Sequence, residues 1–418
     1  MSDIHESSAD LVVIGGGAAG LLAAGTACRN GAAVTVIEQN DRPGKKILIS
    51  GKGRCNVTND CTPSEFIPNV TKNGKFLFSA INRFSPQDMK ELLESLGVEL
   101  KTERGRRVFP TSDKSSDILS ALTRYASGCS FVRAKAKAIA LELDRAVGVV
   151  TDQGTFECDS VILATGGASY PLTGSDGSGY RIARAAGHTV TPLIPSLVPL
   201  TSPSPLCAEM QGLSLKNVAL TLYDGERALY RDFGEMLFTH FGLSGPMILS
   251  ASAHLRNTDF GNIRVEIDLK PALDEQTLEK RILSDFAKYV NRDAQNGLND
   301  LLPQKMILPF LALADVDPRK KINVLIRTER ERMLSTLKRF TLPVSGFRPI
   351  EEAIVTSGGV SVKEIDPKTM SSRLVKGLYF AGEIMDVDAY TGGYNLQIAF
   401  STGFLAGESA AGFRANDK

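Results

Sequence analysis

The stretch Leu11–Glu38 constrains the fold of this chain more than any other. It reads LVVI, then GGGAAG, then LLAAGTACRNGA, then AVTVIE. The uninterrupted apolar run is the pattern of a strand buried on both faces of a parallel sheet. Gly15 to Gly20 follow at once with the spacing G-x-G-x-x-G. The small-residue segment after them predicts a helix that stops at Gly31, and Ala33–Ile37 predicts a second strand ending in Glu38. In such a unit Gly15 makes the tight turn, Gly17 lets backbone approach a pyrophosphate, and Gly20 lets helix and strand pack closely. Ala18 and Ala19 open the helix, whose unpaired N–H groups and positive dipole end suit phosphates. Glu38, about 20 residues on, is placed to accept hydrogen bonds from ribose hydroxyls, with Gln39 beside it. An acid there disfavours a 2′-phosphate, so NADP is not expected as the resident nucleotide.

The motif alone does not separate FAD from NAD. After Glu38 the chain reads QNDRPGKKILISGKGRCNVTN, a second polar, glycine-rich loop for which an NAD domain has no need. FAD has that need, because its ribityl chain and ring extend beyond the pyrophosphate. Lys45 and Lys46 are placed to meet phosphate or ribose oxygens. Ser50, Gly51, Gly53, Arg54, Cys55 and Asn56 are placed to bring backbone and polar groups to the flavin; the bland alternative is a solvated basic loop. Ser160–Gly167 reads SVILATGG, a strand closed by Thr165, Gly166 and Gly167. Near the C-terminus, GLYFAGEIMDVDAYTGGYNLQ gives a strand and then Gly382-Glu383, with a carboxylate suited to a ribityl hydroxyl. Gly392–Asn395 then open an apolar helix, whose start would favour the anionic reduced ring. Three glycine turns far apart in sequence suit one extended ligand better than three unrelated turns.

GKKILISGKGRCNVTN, SVILATGGASYP, GEMLFTHFGLSGP and GLYFAGEIMDVDAYTGGYNLQ resemble the BaiN/YhiN-like family of FAD-dependent oxidoreductases, from Asp10 to about Gly407. Some members of that family are named aminoacetone oxidase or 3-dehydro-bile-acid reductase. The resemblance implies an α/β fold: a Rossmann-like FAD-binding domain of the glutathione-reductase type, with an inserted β-barrel plus helical domain. It also implies non-covalent FAD, in keeping with the lack of histidine in 50–59 and 377–403. Carried over residue by residue, the family's FAD contacts fall on the Gly15–Gly20 turn, Glu38, Lys45, Lys46, Ser50–Asn56, Glu383 and Gly393, Asn395 and Leu396. A backbone contact to adenine is expected near Ala136, on a strand expected over Phe131–Ile139.

Domain boundaries follow from composition. Five prolines between Pro192 and Pro205 mark a boundary. Residues 1–194 are expected to begin the FAD domain, 195–270 to form the β-rich insert, 271–345 the helical insert, and 346–418 to close the FAD domain. Helices joined by a polar connection containing Arg104–Pro110 are expected over 75–130, and a hairpin over Val147–Cys158. The glycine-rich segment 166–180 follows no fresh βαβ unit and is not read as a second dinucleotide site.

The 48 basic and 47 acidic residues give a formal charge of +1, which argues against a chain built mainly to grip nucleic acid or an anionic membrane. Leu11–Cys28 is uncharged but broken by five glycines. The N-terminus has no basic region followed by an apolar stretch, so a cytoplasmic protein without a secretory leader or membrane span is expected. Six cysteines without a CxxC pair and four scattered histidines suggest reduced thiols and no metal site. Arg319–Arg339 holds eight basic and two acidic residues. A solvated helix surface is the expected reading, an RNA- or phosphate-binding face the alternative.

The activity expected is hydride transfer between FAD and a small organic substrate, or NAD(P)H as a transient reductant, since no second GxGxxG unit is present. Candidate catalytic groups are Cys55, Asn56, Tyr170, His240 and Tyr390. Tyr170 and Tyr390 follow glycine-rich turns and are candidates to donate a proton opposite the hydride; the alternative for each is a packed ring with a satisfied hydroxyl. Two other readings stay open: a flavin-dependent RNA-modifying protein, and a non-catalytic FAD-binding sensor. The sequence sets neither the substrate nor the oligomeric state, and no stable nucleic-acid partner is expected.

Overall fold

The computed structural model describes residues 9–256 and 258–413. Met1–Ser8, on which most of the leader reading and His5 fall, lie outside them, as do Asn257 and residues 414–418. The chain divides into two compact units, one of residues 1–196 with 350–418 and one of residues 197–349.

In the first unit a parallel sheet carries Ser130–Arg133, Val34–Glu38, Ala9–Ile14, Thr155–Leu163 and Leu378–Phe380 side by side in that order. Val13 stands opposite Val36 on one side and Ile162 on the other. Leu11 to Ile14 are all buried, which is why the run carries no alternating polar face. The expected hairpin is present: Arg145–Thr151 pairs antiparallel with Thr155–Leu163, and Ala136–Glu142 extends it.

The helix after the glycine turn, Ala18–Arg29, packs against the long C-terminal helix Tyr394–Ala411. Their approach depends on missing side chains. A Cβ on Gly403 would stand 2.4 Å from Ala19 O, and one on Gly407 would stand 2.3 Å from Ala23 O. Two glycines one turn apart thus face an alanine-rich helix, and interaxial distance follows side-chain size.

Over 75–130 the helices Phe78–Arg83, Pro86–Ser95 and Ser115–Tyr125 form, but the polar connection is more ordered than expected. Leu100–Glu103 and Arg107–Pro110 make a hairpin with Val108 and Phe109 buried, and Thr58–Asn59 joins it. Arg104 and Arg106 sit exposed in its turn, Arg106 paired with Glu65 at 2.9 Å.

The second unit holds a seven-stranded sheet whose order is Phe340–Pro343, Ile263–Asp268, Ser214–Asp224, Arg227–Thr239, Gly242–Ser244, Leu200–Thr201 and Gly346–Phe347. All its pairings are antiparallel. Helices Glu275–Lys288, Gln304–Leu313 and Arg327–Lys338 pack into the same core through Leu278, Phe310 and Met333, so the stretches 195–270 and 271–345 share one core.

Most cations of the basic run are paired with nearby acids. Lys320 pairs with Glu329 at 2.7 Å, Lys321 with Asp293 at 2.7 Å and Arg327 with Glu331 at 2.8 Å. Lys338 pairs with Asp268, Arg332 with Asp315 and Arg339 with Glu275. Among the described residues no helix is long and apolar enough to cross a membrane.

Candidate functional site

A cleft opens at the strand ends of the parallel sheet. Its wall begins with the glycine turn. Gly15 has φ +103°, and a Cβ there would lie 2.6 Å from Ala164 O; a Cβ on Gly20 would lie 1.8 Å from Gly15 O. Gly17 is different: nothing lies within 4 Å of where its Cβ would stand. Two of the three glycines thus permit the local packing, and the third leaves open space at the start of Ala18–Arg29. No side chain caps that helix and no acid sits in its first turn. Ala18, Ala19, Thr165, Gly166 and Ala136 also line the cleft. The Thr165 hydroxyl is buried with no hydrogen-bond partner among the described residues.

Glu38 ends its strand beside the turn. Its Oε2 accepts from Gly16 N, and its Oε1 from Asn40 N and Asn40 Nδ2, each at 2.8 Å. Gln39 donates from Nε2 to Gly174 O at 2.8 Å.

On another part of the wall, Lys46 donates from Nζ to Ser169 Oγ at 2.7 Å and to Glu383 Oε2 at 2.8 Å. Glu383 Oε1 accepts from Thr356 N at 2.8 Å and from Ser169 Oγ at 3.1 Å. Lys45 turns to Asp41, 2.6 Å away. Gly382, with φ +77°, supplies the turn that presents Glu383.

Of the Ser50–Asn56 loop, Ser50 alone lines the cleft. Gly51, Lys52, Gly53 and Cys55 have positive φ, so the loop coils on itself. Arg54 is held by Glu103 at 2.8 Å and Asp113 at 3.3 Å, with its guanidinium 4.1 Å from the centre of the Phe109 ring. Cys55 is fully buried, and burial pushes its thiol up to about 12, which keeps it protonated and unreactive. The surroundings of the Asn56 amide are satisfied when its nitrogen faces Thr58 O at 3.1 Å and Val108 O at 3.3 Å and its oxygen faces Gly393 N at 3.0 Å. Asn395 and Leu396 line the cleft, and Gly393 is not part of its wall.

Of the remaining catalytic candidates, Tyr170 adjoins Ser169, is 37% exposed and has φ +53°, an uncommon conformation for a residue with a side chain. Tyr390 is half-buried, and its carbonyl accepts from Asn395 Nδ2 at 3.2 Å. His240 lies in the second unit, exposed in a turn with its ring edge-on to Phe241. Among the described residues no group of metal-binding side chains is assembled.

The sequence reading passed over part of the wall. Thr173, Gly174, Ser175 and Ser178 line this same cleft, as do Ile354 and Val355. The available signal was GGASYPLTGSDGSGY directly following a strand, although no new βαβ unit begins there.

A family model described as "HI0933-like protein Rossmann domain" matches residues 9–409. The chain is 32% identical over 406 residues to a 3-dehydro-bile acid delta(4,6)-reductase of Clostridium scindens, covering 96% of this chain and 98% of that one. It is 31% identical over 404 residues to a ribosomal RNA dihydrouridine synthase of Escherichia coli, covering 96% and 97%. A solved E. coli quinol fumarate reductase subunit, FrdA, shares the fold with a TM-score of 0.51 at 18% identity, covering 97% of this chain and 70% of that one.

Proposed function

The chain belongs to the HI0933-like Rossmann family, and from that premise we propose that it is a FAD-dependent oxidoreductase that reduces a carbon–carbon double bond conjugated to a carbonyl. The observation that carries the reading is the cleft, on which glycine turns from three distant parts of the chain converge: Gly15–Gly17, Thr165-Gly166 and Gly382. The residues present fit FAD. Gly17 leaves open space at an uncapped helix start, and the buried Thr165 hydroxyl has no partner among the described residues.

In this reading Glu38 accepts from ribose hydroxyls, the start of Ala18–Arg29 meets the pyrophosphate, and Glu383 with Lys46 orders the ribityl chain. Bound FAD supplies hydride chemistry at its ring. Tyr170, exposed and next to Ser169 although not itself a residue of the cleft wall, is our candidate for the proton to the second carbon of the double bond. NAD(P)H is the transient reductant. The substrate class comes from what the relatives' names share: a 3-oxo steroid unsaturated at positions 4 and 6 and a uracil ring each present an alkene conjugated to a carbonyl.

The E. coli relative's name favours a second reading, in which the double bond belongs to uridine in RNA. Its electrostatic footing would have to lie outside the Arg319–Arg339 run, whose cations are largely paired with acids.

Anaerobic stopped-flow absorbance with NADH, then NADPH, tests the proposal. Loss of the oxidised flavin band near ~450 nm is expected, followed by its return when an unsaturated 3-oxo steroid is added. Return with uridine-containing RNA alone would select the second reading. A protein that carries no flavin and binds none when FAD is added would overturn both. Tyr170→Phe should leave reduction by the nicotinamide intact and slow the return of the band about 10²-fold or more.

A further inference from the structure

The turn Tyr390–Tyr394 is held by three asparagines that reach it from different elements. Asn395, in the helix that the turn opens, accepts from Ala389 N at 2.9 Å and donates to Ala389 O at 2.8 Å and Tyr390 O at 3.2 Å. Asn59, buried on the short strand Thr58–Asn59, donates to Gly392 O at 3.1 Å and to Gly105 O at 3.0 Å. With its amide turned so that the oxygen faces Gly393 N, the orientation that satisfies both ends, Asn56 accepts from Gly393 N at 3.0 Å while donating to Thr58 O at 3.1 Å and Val108 O at 3.3 Å. Gly393 has φ +99°, and a Cβ on it would lie 2.3 Å from the Thr58 backbone. The turn is therefore wedged against one strand and tied on both sides. It cannot slide without breaking several part-buried hydrogen bonds of these amides, each costly to leave unmade.

What the clamp fixes is the start of Tyr394–Ala411. No side chain caps this 18-residue helix, no acid lies in its first turn, and its residues Asn395 and Leu396 form part of the cleft wall. The partial positive charge of a helix start acts over about one turn and falls off beyond it. A group that gains negative charge in the cleft is stabilised by that charge only while the helix start stays in place.

We propose that Asn56, Asn59 and Asn395 are positioning residues that set the reduction potential of the bound flavin by fixing this helix start against the cleft. The proposal rests on the FAD reading above. All three side chains are uncharged, and the amides of Asn56 and Asn59 are spent on backbone away from the cleft wall, so those two act through placement. The flavin's electronics follow, because charge near the ring's pyrimidine edge tunes its potential.

The test uses the FAD-loaded protein and the variants Asn56→Ala and Asn59→Ala, with Asn30→Ala as control. Asn30 braces the far end of Ala18–Arg29 by donating to Thr26 O at 2.9 Å, so its loss weakens the same unit without touching the turn. Two readouts besides turnover are the midpoint potential and the affinity of the oxidised flavin for sulfite, which needs stabilisation of the same negative charge. In Asn56→Ala and Asn59→Ala the preference for reduced over oxidised FAD should fall about tenfold, equal to ~30 mV for a two-electron couple. Sulfite affinity should fall in parallel, and Asn30→Ala should match wild type in both. Asn59→Ser is read the same way if Asn59→Ala does not fold. Unchanged potential and sulfite affinity alongside a lower melting temperature would overturn the proposal and leave the amides purely structural. Wild-type protein that takes up no FAD would instead overturn the cofactor reading itself.

Discussion

Lys46 and Glu383, 337 residues apart in sequence, face each other across 2.8 Å on the wall of the cleft. Ser169 joins them, accepting from Lys46 at 2.7 Å and donating to Glu383 at 3.1 Å. Three segments that share no local sequence signal thus meet in one polar cluster. Both charged side chains are less than a third exposed, which is drier than a surface pair.

The cluster predicts asymmetric effects of substitution. Glu383→Ala removes the acceptor for Thr356 N, Ser169 and Lys46 together, so it should weaken FAD binding tenfold or more and lower the melting temperature by several degrees. Lys46→Met leaves Glu383 with Thr356 and Ser169 and should cost less on both counts. A double-mutant cycle read by FAD titration should give a coupling of about 0.5–3 kcal/mol. Independent, additive effects would mean that the pair does not act as a unit.

The two outer functions of the glycine turn separate cleanly. Gly17→Ala adds a methyl group where nothing lies within 4 Å. The apoprotein's melting temperature should stay within about a degree, while FAD affinity falls at least tenfold, because the methyl occupies the cofactor's approach. Gly20→Ala would put its Cβ 1.8 Å from Gly15 O, so it should lose folded protein as well as cofactor. Differential scanning fluorimetry with and without FAD distinguishes the two. A Gly17→Ala protein that binds FAD normally would remove the pyrophosphate from this turn.

The sequence made this turn legible because local physics dictates it: a strand buried on both faces, a positive φ at Gly15 and a helix packed too closely for any side chain at Gly20. Glu38 was legible for the same reason, since it ends the adjacent strand. Lys46 and Glu383 were each read as facing one ligand, but their direct pairing and the part of Ser169 in it were not legible, because these depend on tertiary approach and no spacing encodes them. Arg54 shows the opposite difficulty. Its place in a glycine-rich loop suggested the flavin, whereas Glu103, on a strand of the Leu100–Pro110 hairpin, and Asp113, just past that hairpin, take its charge. The wall residues Thr173–Ser178 were visible as glycine-rich sequence, but the rule that a dinucleotide site needs its own βαβ unit set them aside.

Helix packing in the first unit should be unusually sensitive to single methyl groups. Gly407→Ala would bring a Cβ to 2.3 Å from Ala23 O, which is main chain and cannot swing away. The helices must part by a fraction of an ångström, and overpacking of this kind typically costs about 1–3 kcal/mol. Chemical denaturation of the apoprotein should show that loss in the midpoint with little change in slope. Gly31→Ala offers a contrast: space is open there, but φ is +88°, so any loss reflects backbone strain at a helix C-terminus and not crowding.

His188 supplies a pH dependence whose sign can be worked out. It is 3% exposed, its Nε2 lies 2.7 Å from Ser372 Oγ, and its ring stands edge-on to Phe380. Burial lowers its proton affinity in the fold, opposed in part by the negative charge of Glu364. The unfolded chain, whose histidine titrates near ~6.5, therefore binds the proton first as pH falls. The contribution of neutral His188 is fully present above that value. It is lost progressively as pH drops below ~6.5 towards the lower folded value, because stability rises with pH wherever the unfolded state holds more protons. His188→Gln removes the titration, so the melting temperature of the variant should fall less steeply between pH 6.5 and 5 than that of wild type, even if it starts lower. Parallel curves over that interval would mean that His188 is protonated alike in both states and that its burial carries no linked proton.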